Sequence, residues 1–404
     1  MKKIGFLAIL LLDLLLVASC TKDSPVIEET GETTEVQTEA PETEPPLPPN
    51  VFKAPSVEEA RQIVIDYAKK MARVKWVCKR DMDFTKGKSY TASLYYTAGE
   101  TYYGIPYVSS RGYTEKFEIL LDSDRVYTGP ITYETCIGNS CATAVRVSYD
   151  QVSPKVEFSS SFNIYPVANM GTVQVGEYEW GEIKDLSKFA SLDVCHANGT
   201  QKIYEAYALL QPADAISERD KSGSSYTGHA RLISSLPNVV YDNTGKINGS
   251  RSSIKLIEQT SSFDKTNTEM KTTWKIDKEF TFANLYSGGY LPLTLEEFVS
   301  GDIPDLTIDF IDTDEDLLMT KKSVTGIVKS NYLVKYIGIF LYDKEGNVVS
   351  KAEYAPSKAE VSLGGQLMDP IPSTLPDGEY RLVIKARAGW ADYTYCDKTI
   401  VKKS

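Results

Sequence analysis

Histidine is almost missing from this chain: its 404 residues hold only His196 and His229, which excludes a histidine-rich metal centre. Cysteine is sparse as well, and none of Cys78, Cys136, Cys195 and Cys396 has the paired spacing of a zinc site. No structural metal and no cofactor are therefore expected. Positive charge is in deficit, 44 Lys and Arg against 55 Asp and Glu, the opposite of the basic footprint that binds nucleic acid. The one leucine-rich run, after Lys2 and Lys3, is short for a membrane span and is interrupted by Asp13. What is present is a globular composition, 42% hydrophobic, 25% charged and 11% aromatic, on a length that suits two or three domains.

Residues 1–20 read as a secretory signal: two lysines, an apolar stretch, then Val17-Ala18-Ser19-Cys20. That ending matches the lipobox of bacterial lipoproteins, in which cleavage leaves the cysteine as the lipid-modified first residue. The chain is thus expected to be an exported bacterial lipoprotein, anchored to the cell membrane through Cys20 and facing the envelope or exterior. Residues 21–50 set Lys22 against eight acids, carry no aromatics, and end in Pro45-Pro46-Leu47-Pro48-Pro49. Such a segment cannot bury enough apolar surface to offset its chain entropy, and its like charges repel, so it reads as a disordered, extended tether.

Folding signals begin at Ser56-Val57-Glu58-Glu59, a capping box. Val57, Ala60, Ile63, Val64, Tyr67, Ala68 and Met71 then recur at helical spacing and predict one apolar face. Tyrosines crowd residues 90–113, at Tyr90, Tyr95, Tyr96, Tyr102, Tyr103, Tyr107 and Tyr113; amphipathic surface packing is the expectation, at a position that would suit a cleft rim. Beyond residue 300 the period changes. Tyr336–Tyr342 and Tyr380–Ala386 alternate as strands, separated by turn sequences such as Asp343-Lys344-Glu345-Gly346-Asn347. Residues 301–404 therefore read as a small β-sandwich, which resembles the immunoglobulin-like modules appended to bacterial surface proteins.

Chemistry is concentrated earlier. Gly138-Asn139-Ser140-Cys141 reads as a turn entering a helix, where the positive end of the helix dipole lowers a thiol's pKa. Thr227-Gly228-His229-Ala230-Arg231 reads as a strand that opens with a histidine, and Ile254–Thr260 as a later strand able to offer a third polar group. Cysteine on a helix start, histidine on a strand and a polar residue behind it are the parts of a cysteine-nucleophile site. Taken singly, each part has an ordinary structural explanation, a small core cysteine or a hydrogen-bonded histidine. His196 beside Cys195 is a weaker pair, because adjacent residues rarely converge on one atom and Asn198-Gly199 marks a turn there.

The order of these parts resembles the NlpC-type peptidases, papain-like enzymes that cut peptides of the bacterial cell wall, over residues 51–300. Gly104-Ile105-Pro106-Tyr107 fits the family's Gly-x-Pro-Tyr segment, Cys141 its helix-start cysteine, Gln211-Pro212-Ala213-Asp214 its strand entry, and Gly228-His229 its histidine strand. The Glu258-Gln259 pair resembles the related CHAP amidases, whose third residue is a glutamate. The resemblance implies an α+β, papain-like fold of helices against an antiparallel sheet. It implies catalysis by Cys141, His229 and Glu258 (Gln259 being the second choice for the third role), with Tyr107, Gly228 and Gln259 contributing to substrate binding. The implied activity is hydrolysis of peptide (amide) bonds in peptidoglycan stem peptides, through an acyl-enzyme. Two departures stand out: Ser140-Cys141-Ala142-Thr143 replaces Asp-Cys-Ser-Gly, and Val108-Ser109-Ser110-Arg111-Gly112 replaces an aromatic-Gly-Gly. They leave open a degenerate surface protein that binds wall or surface ligands without cutting, or an acyl-transfer enzyme with another substrate. The separation of 88 positions from Cys141 to His229 leaves room for an insertion around 155–200, expected as a lid or cleft wall. Cys78, Cys136, Cys195 and Cys396 permit three full pairings, and nothing in their spacing chooses among them.

Overall fold

The computed structural model describes residues 50–403 apart from 88–91, 184, 186–187, 223–224 and 312–323. The signal, Cys20, the tether up to residue 49, and Tyr90 lie outside the described residues. The fold is mixed α and β, with antiparallel sheets dominant.

Helix α1 (Val57–Arg73) starts as its sequence requires. The Ser56 N–H donates to Glu59 Oε2 at 2.8 Å while Ser56 Oγ accepts from the Glu59 N–H, so two orphan donors are satisfied reciprocally. Its face of Ala60, Val64, Tyr67, Ala68 and Met71 is buried. Helix α2 (Thr114–Glu118) and helix α3 (Cys141–Tyr149) follow, and every residue of α3 is buried. Strands β2 (Lys75–Cys78), β5 (Thr101–Tyr103) and β6 (Val126–Tyr127) make a small sheet beside them, and β3 (Met82–Asp83) pairs with β4 (Tyr95–Tyr96). The expected tyrosine rim is instead largely interior: Tyr96, Tyr102, Tyr107 and Tyr113 are buried, and Tyr96 and Tyr102 pack on Trp76 at ring distances of 5.4 and 5.2 Å. Burying aromatic area outweighs keeping the hydroxyls in water, most readily where a hydroxyl finds a partner, as Tyr113 does on Asp150 at 2.6 Å.

The central sheet comprises β7 (Thr172–Gln174), β8 (Ala215–Ser222), β9 (Ser225–Ile233), β10 (Ser253–Gln259), β11 (Trp274–Thr281) and β12 (Leu291–Leu295), in the order β11-β10-β9-β8-β12-β7. Helices α4 (Ser191–Asn198), α5 (Thr200–Ala208), α6 (Phe282–Ser287) and α7 (Glu296–Ser300) complete this region. The 155–200 segment belongs to the packed body, because β7 is an integral strand and Val156, Phe158, Ile164, Tyr165 and Val194 are core residues.

After β13 (Leu306–Ile311), the long strand β14 (Ile327–Tyr342) pairs with β13 and β16 (Lys358–Ser362) along its first part. Along its second part it pairs with β15 (Val348–Tyr354) and β17 (Gly378–Ala388), and β18 (Ala391–Lys402) completes the set. Leu306, Ile308, Val328, Ile337, Ile339, Leu382 and Ile384 fill its core. The edge strand β1 (Val51–Phe52) joins this same sheet by pairing with β13. Tyr332 on β14 donates to the carbonyls of Pro304 (3.0 Å) and Val152 (3.3 Å), tying the sheet to the end of α3.

Candidate active site

Cys141 is the first residue of α3, and the turn before it is held by a reciprocal cap. Ser140 Oγ accepts from the Thr143 N–H, and Thr143 Oγ1 accepts from the Ser140 N–H at 2.7 Å. Behind the cap, the Asn139 side chain is fully buried, donating to Gly112 O at 2.8 Å and accepting from the Gly112 N–H at 2.9 Å. Backbone bonds of Asn139 with Pro106 and Val108 fix this turn to the Gly104–Tyr107 segment. Gly104 has φ +77°, and a Cβ there would lie 2.3 Å from the Trp274 ring, so only glycine fits.

Strand β9 carries the histidine to this helix start. The charge and hydrogen-bonding capacity of the His229 imidazole act on the Cys141 thiol, whose sulfur lies 3.9 Å from the carbonyl of Gly228, the residue before His229. Burial alone would hold the thiol protonated, but the charge and hydrogen bond of His229 overcome it and bring the Cys141 pKa down. For His229 burial acts downward, and the adjacent thiolate with Glu258 reverses it, raising the ring to about 9. Both shifts favour the thiolate–imidazolium form of the pair. Cys141 is 6% exposed, whereas the His229 side chain keeps 18%, so the imidazole is the member that meets solvent.

Glu258 stands on β10 beside β9, with Oε2 at 2.8 Å from His229 Nε2, which leaves Nδ1 for the thiol. The same oxygen accepts from Arg231 Nε at 2.6 Å, and Oε1 accepts from Lys275 Nζ at 2.8 Å. Burial would raise this carboxyl, but the three donors hold it well below the usual carboxylate range. Arg231 is clamped between the rings of Phe280 and Tyr290, 4.2 and 4.3 Å from their centroids. The arrangement orients a base beside a nucleophile, which is the geometry of acyl transfer.

Not every expected site residue converges. Gln259 follows Glu258 and so points the other way: it is 1% exposed and its amide donates to Ile105 O (2.9 Å) and Thr273 Oγ1 (3.4 Å). It anchors the Gly104–Tyr107 segment. Tyr107 is buried and bridges Asn139 through its backbone. Gly228 provides space, since a Cβ there would lie 2.3 Å from Ser161 Oγ, and its carbonyl lies 3.9 Å from the Cys141 sulfur. Cys195 and His196 both lie on α4; the thiol faces Tyr290 O at 4.0 Å, and burial pushes it up to about 12. Cys78, Cys136, Cys141 and Cys195 carry free thiols.

Arg231, Lys275, Asn139 and Ser161 were not legible as site residues. Only Arg231 leaves a signal, because His229-Ala230-Arg231 on one strand sends both outer side chains to one face. Among the described residues no helix is long and apolar enough to cross a membrane. The chain matches no family model, and a search of curated proteins returns no significant match.

Proposed function

We propose that this chain is an exported, lipid-anchored cysteine hydrolase of the NlpC type, cutting amide bonds in peptidoglycan stem peptides. The observation that carries the reading is the line from the Cys141 thiol through His229 to Glu258, with its 2.8 Å imidazole–carboxylate contact at the start of α3. The Lys2–Cys20 signal and lipobox support the location; the motif order from Gly104 to Glu258 supports the papain-like assignment and the wall substrate. The immunoglobulin-like resemblance of residues 301–404 suits an appended surface module.

In this reading the Cys141 thiolate attacks the scissile carbonyl carbon and the C–O π electrons move to oxygen. The Cys141 N–H, which α3 leaves without an intrahelical partner, stabilises that oxyanion by on the order of 3 kcal/mol. Collapse expels the amine, protonated by His229, and leaves a thioester. Water, deprotonated by His229, then attacks the thioester and restores the thiolate. Glu258 fixes the ring orientation and balances the imidazolium.

Incubation with purified peptidoglycan, followed by mass spectrometry, should show released peptides from the wild type and none from Cys141→Ala. Intact wall together with a Cys141 thiol inert to iodoacetamide below pH 8 would reject the hydrolase and favour a binding module.

A further inference from the structure

On the other side of β9 from Glu258, Glu218 of β8 stands directly opposite His229 in the strand register. Residues so opposed share one face of the sheet, so this carboxylate rises beside the imidazole. Glu218 is partly buried, its Oε2 is shielded from solvent, and no protein donor reaches that oxygen. Shielded carboxylate oxygens are ordinarily hydrogen-bonded, and an exception at a reactive centre calls for a cause. The neighbouring cations are committed elsewhere, since Arg231 and Lys275 both bond Glu258. Burial pushes the Glu218 pKa up; the charges of His229 and Arg231 only partly oppose this, and Asp220 adds to it. Arg231 lies over the Tyr290 ring, 4.3 Å from its centroid, and the charges of Arg231, Glu218, Glu258 and Cys141 all act on that phenol.

We infer that Glu218 is a specificity-determining residue of this site, accepting an ammonium or other cationic group of the substrate next to the scissile bond. The inference rests on the reading of Cys141 as nucleophile. It assigns the substrate class as peptides with a protonated amine close to the bond cut. A purely balancing role, offsetting the positive charge of Arg231 and Lys275, would give no such preference.

The test needs no natural substrate. The full chain is treated with three methanethiosulfonates: aminoethyl (cationic), methyl (neutral) and sulfonatoethyl (anionic). In each case the thiolate attacks the reagent's sulfenyl sulfur, forms a mixed disulfide and releases methanesulfinate. Rates at Cys141 are read by mass, with Cys141→Ser as background and a small free thiol as reference. The wild type should favour the cationic over the neutral reagent by about tenfold. In Glu218→Gln the ratio should fall to within about twofold of unity, while Asp220→Asn, two residues further along β8 and exposed, should keep it. An equal ratio in wild type and Glu218→Gln, or a preference for the anion, overturns the proposal alone. No reaction at Cys141 with any reagent removes the nucleophile reading and this proposal with it.

Discussion

Two buried carboxylates, Glu258 and Glu115, are built alike and serve different ends. Glu258 is bonded by His229, Arg231 and Lys275; Glu115, on α2, is bonded by Tyr67 at 2.8 Å and by Lys70 and Arg387 at 3.1 Å each. Burial opposes ionisation at Glu115, but nearby Lys335 and Lys70 override it and bring its pKa to about 2. Lys335, itself 1% exposed, donates to Gln151 Oε1 and Gly389 O, so this network joins α1, α2 and the end of α3 to the C-terminal sheet. Low carboxyl pKa is therefore not a mark of chemistry in this molecule. What sets Glu258 apart is its partner: an imidazole, largely buried, whose charge acts on a thiol, whereas every partner of Glu115 is a fixed cation or phenol.

Removing the charge of Glu115 should have the largest effect on stability. Glu115→Gln leaves buried Lys335 beside a neutral amide and removes a partner of Arg387, and should cost about 3 kcal/mol, read from the urea midpoint, with Cys141 labelling unchanged. Because the folded-state pKa lies below the ordinary glutamate value, wild-type stability is held above that value and lost as pH falls from it towards 2. Glu115→Gln should flatten that acid limb. A stability change under 1 kcal/mol would make the network ornamental and dissolve the contrast.

At the other carboxylate the expected change is in reactivity. His229→Ala should slow iodoacetamide labelling of Cys141 at pH 6 by about 100-fold and return its midpoint towards a free thiol near 8.5. Glu258→Gln keeps the imidazole and should lower turnover by about tenfold, less than Cys141→Ala. Superimposable labelling curves for wild type and His229→Ala across pH 5 to 9 would show that Cys141 is a structural thiol.

A third buried carboxylate sharpens the comparison. Asp214 accepts from Arg61 at 2.7 Å and from the Gln211 N–H at 2.7 Å, yet burial outweighs both and raises its pKa. The residue before it, Ala213, sits at φ +69°, where a Cβ is strained. Ala213→Gly should therefore stabilise the fold by about 0.5–1 kcal/mol, despite the greater entropy of its unfolded chain. A lower urea midpoint would mean that the buried Ala213 methyl outweighs the strain.

Local signals in the sequence were read where neighbours along the chain decide the outcome. The Ser56 box and the 57–71 periodicity predict α1, and the turn at 138–140 predicts a helix beginning at Cys141; both occur. Alternation at 336–342 and 380–386 lies within β14 and β17. Pairing was not legible. Val51–Phe52 is too short to read as a strand, and its partner Leu306–Thr307 lies some 250 residues away. Tyr113 looked like surface because its hydroxyl partner, Asp150, comes from elsewhere in the chain, and Tyr96 and Tyr102 because the rings they pack on, Trp76 and Phe263, do too.

By itself, then, the sequence determined that a cysteine would open a helix and that a histidine and a glutamate would stand on strands, because caps, periodicity and alternation act within a few residues. Which of Glu258 and Gln259 faces the imidazole was decided only by strand register. One residue of offset reverses a side chain, and the Leu256–Ile257 pairing with Ile233–Leu232 sends Glu258 towards Arg231 and Gln259 towards Ile105. The same register set Glu218 against His229, a juxtaposition of residues 11 apart across a hairpin that no local pattern announces.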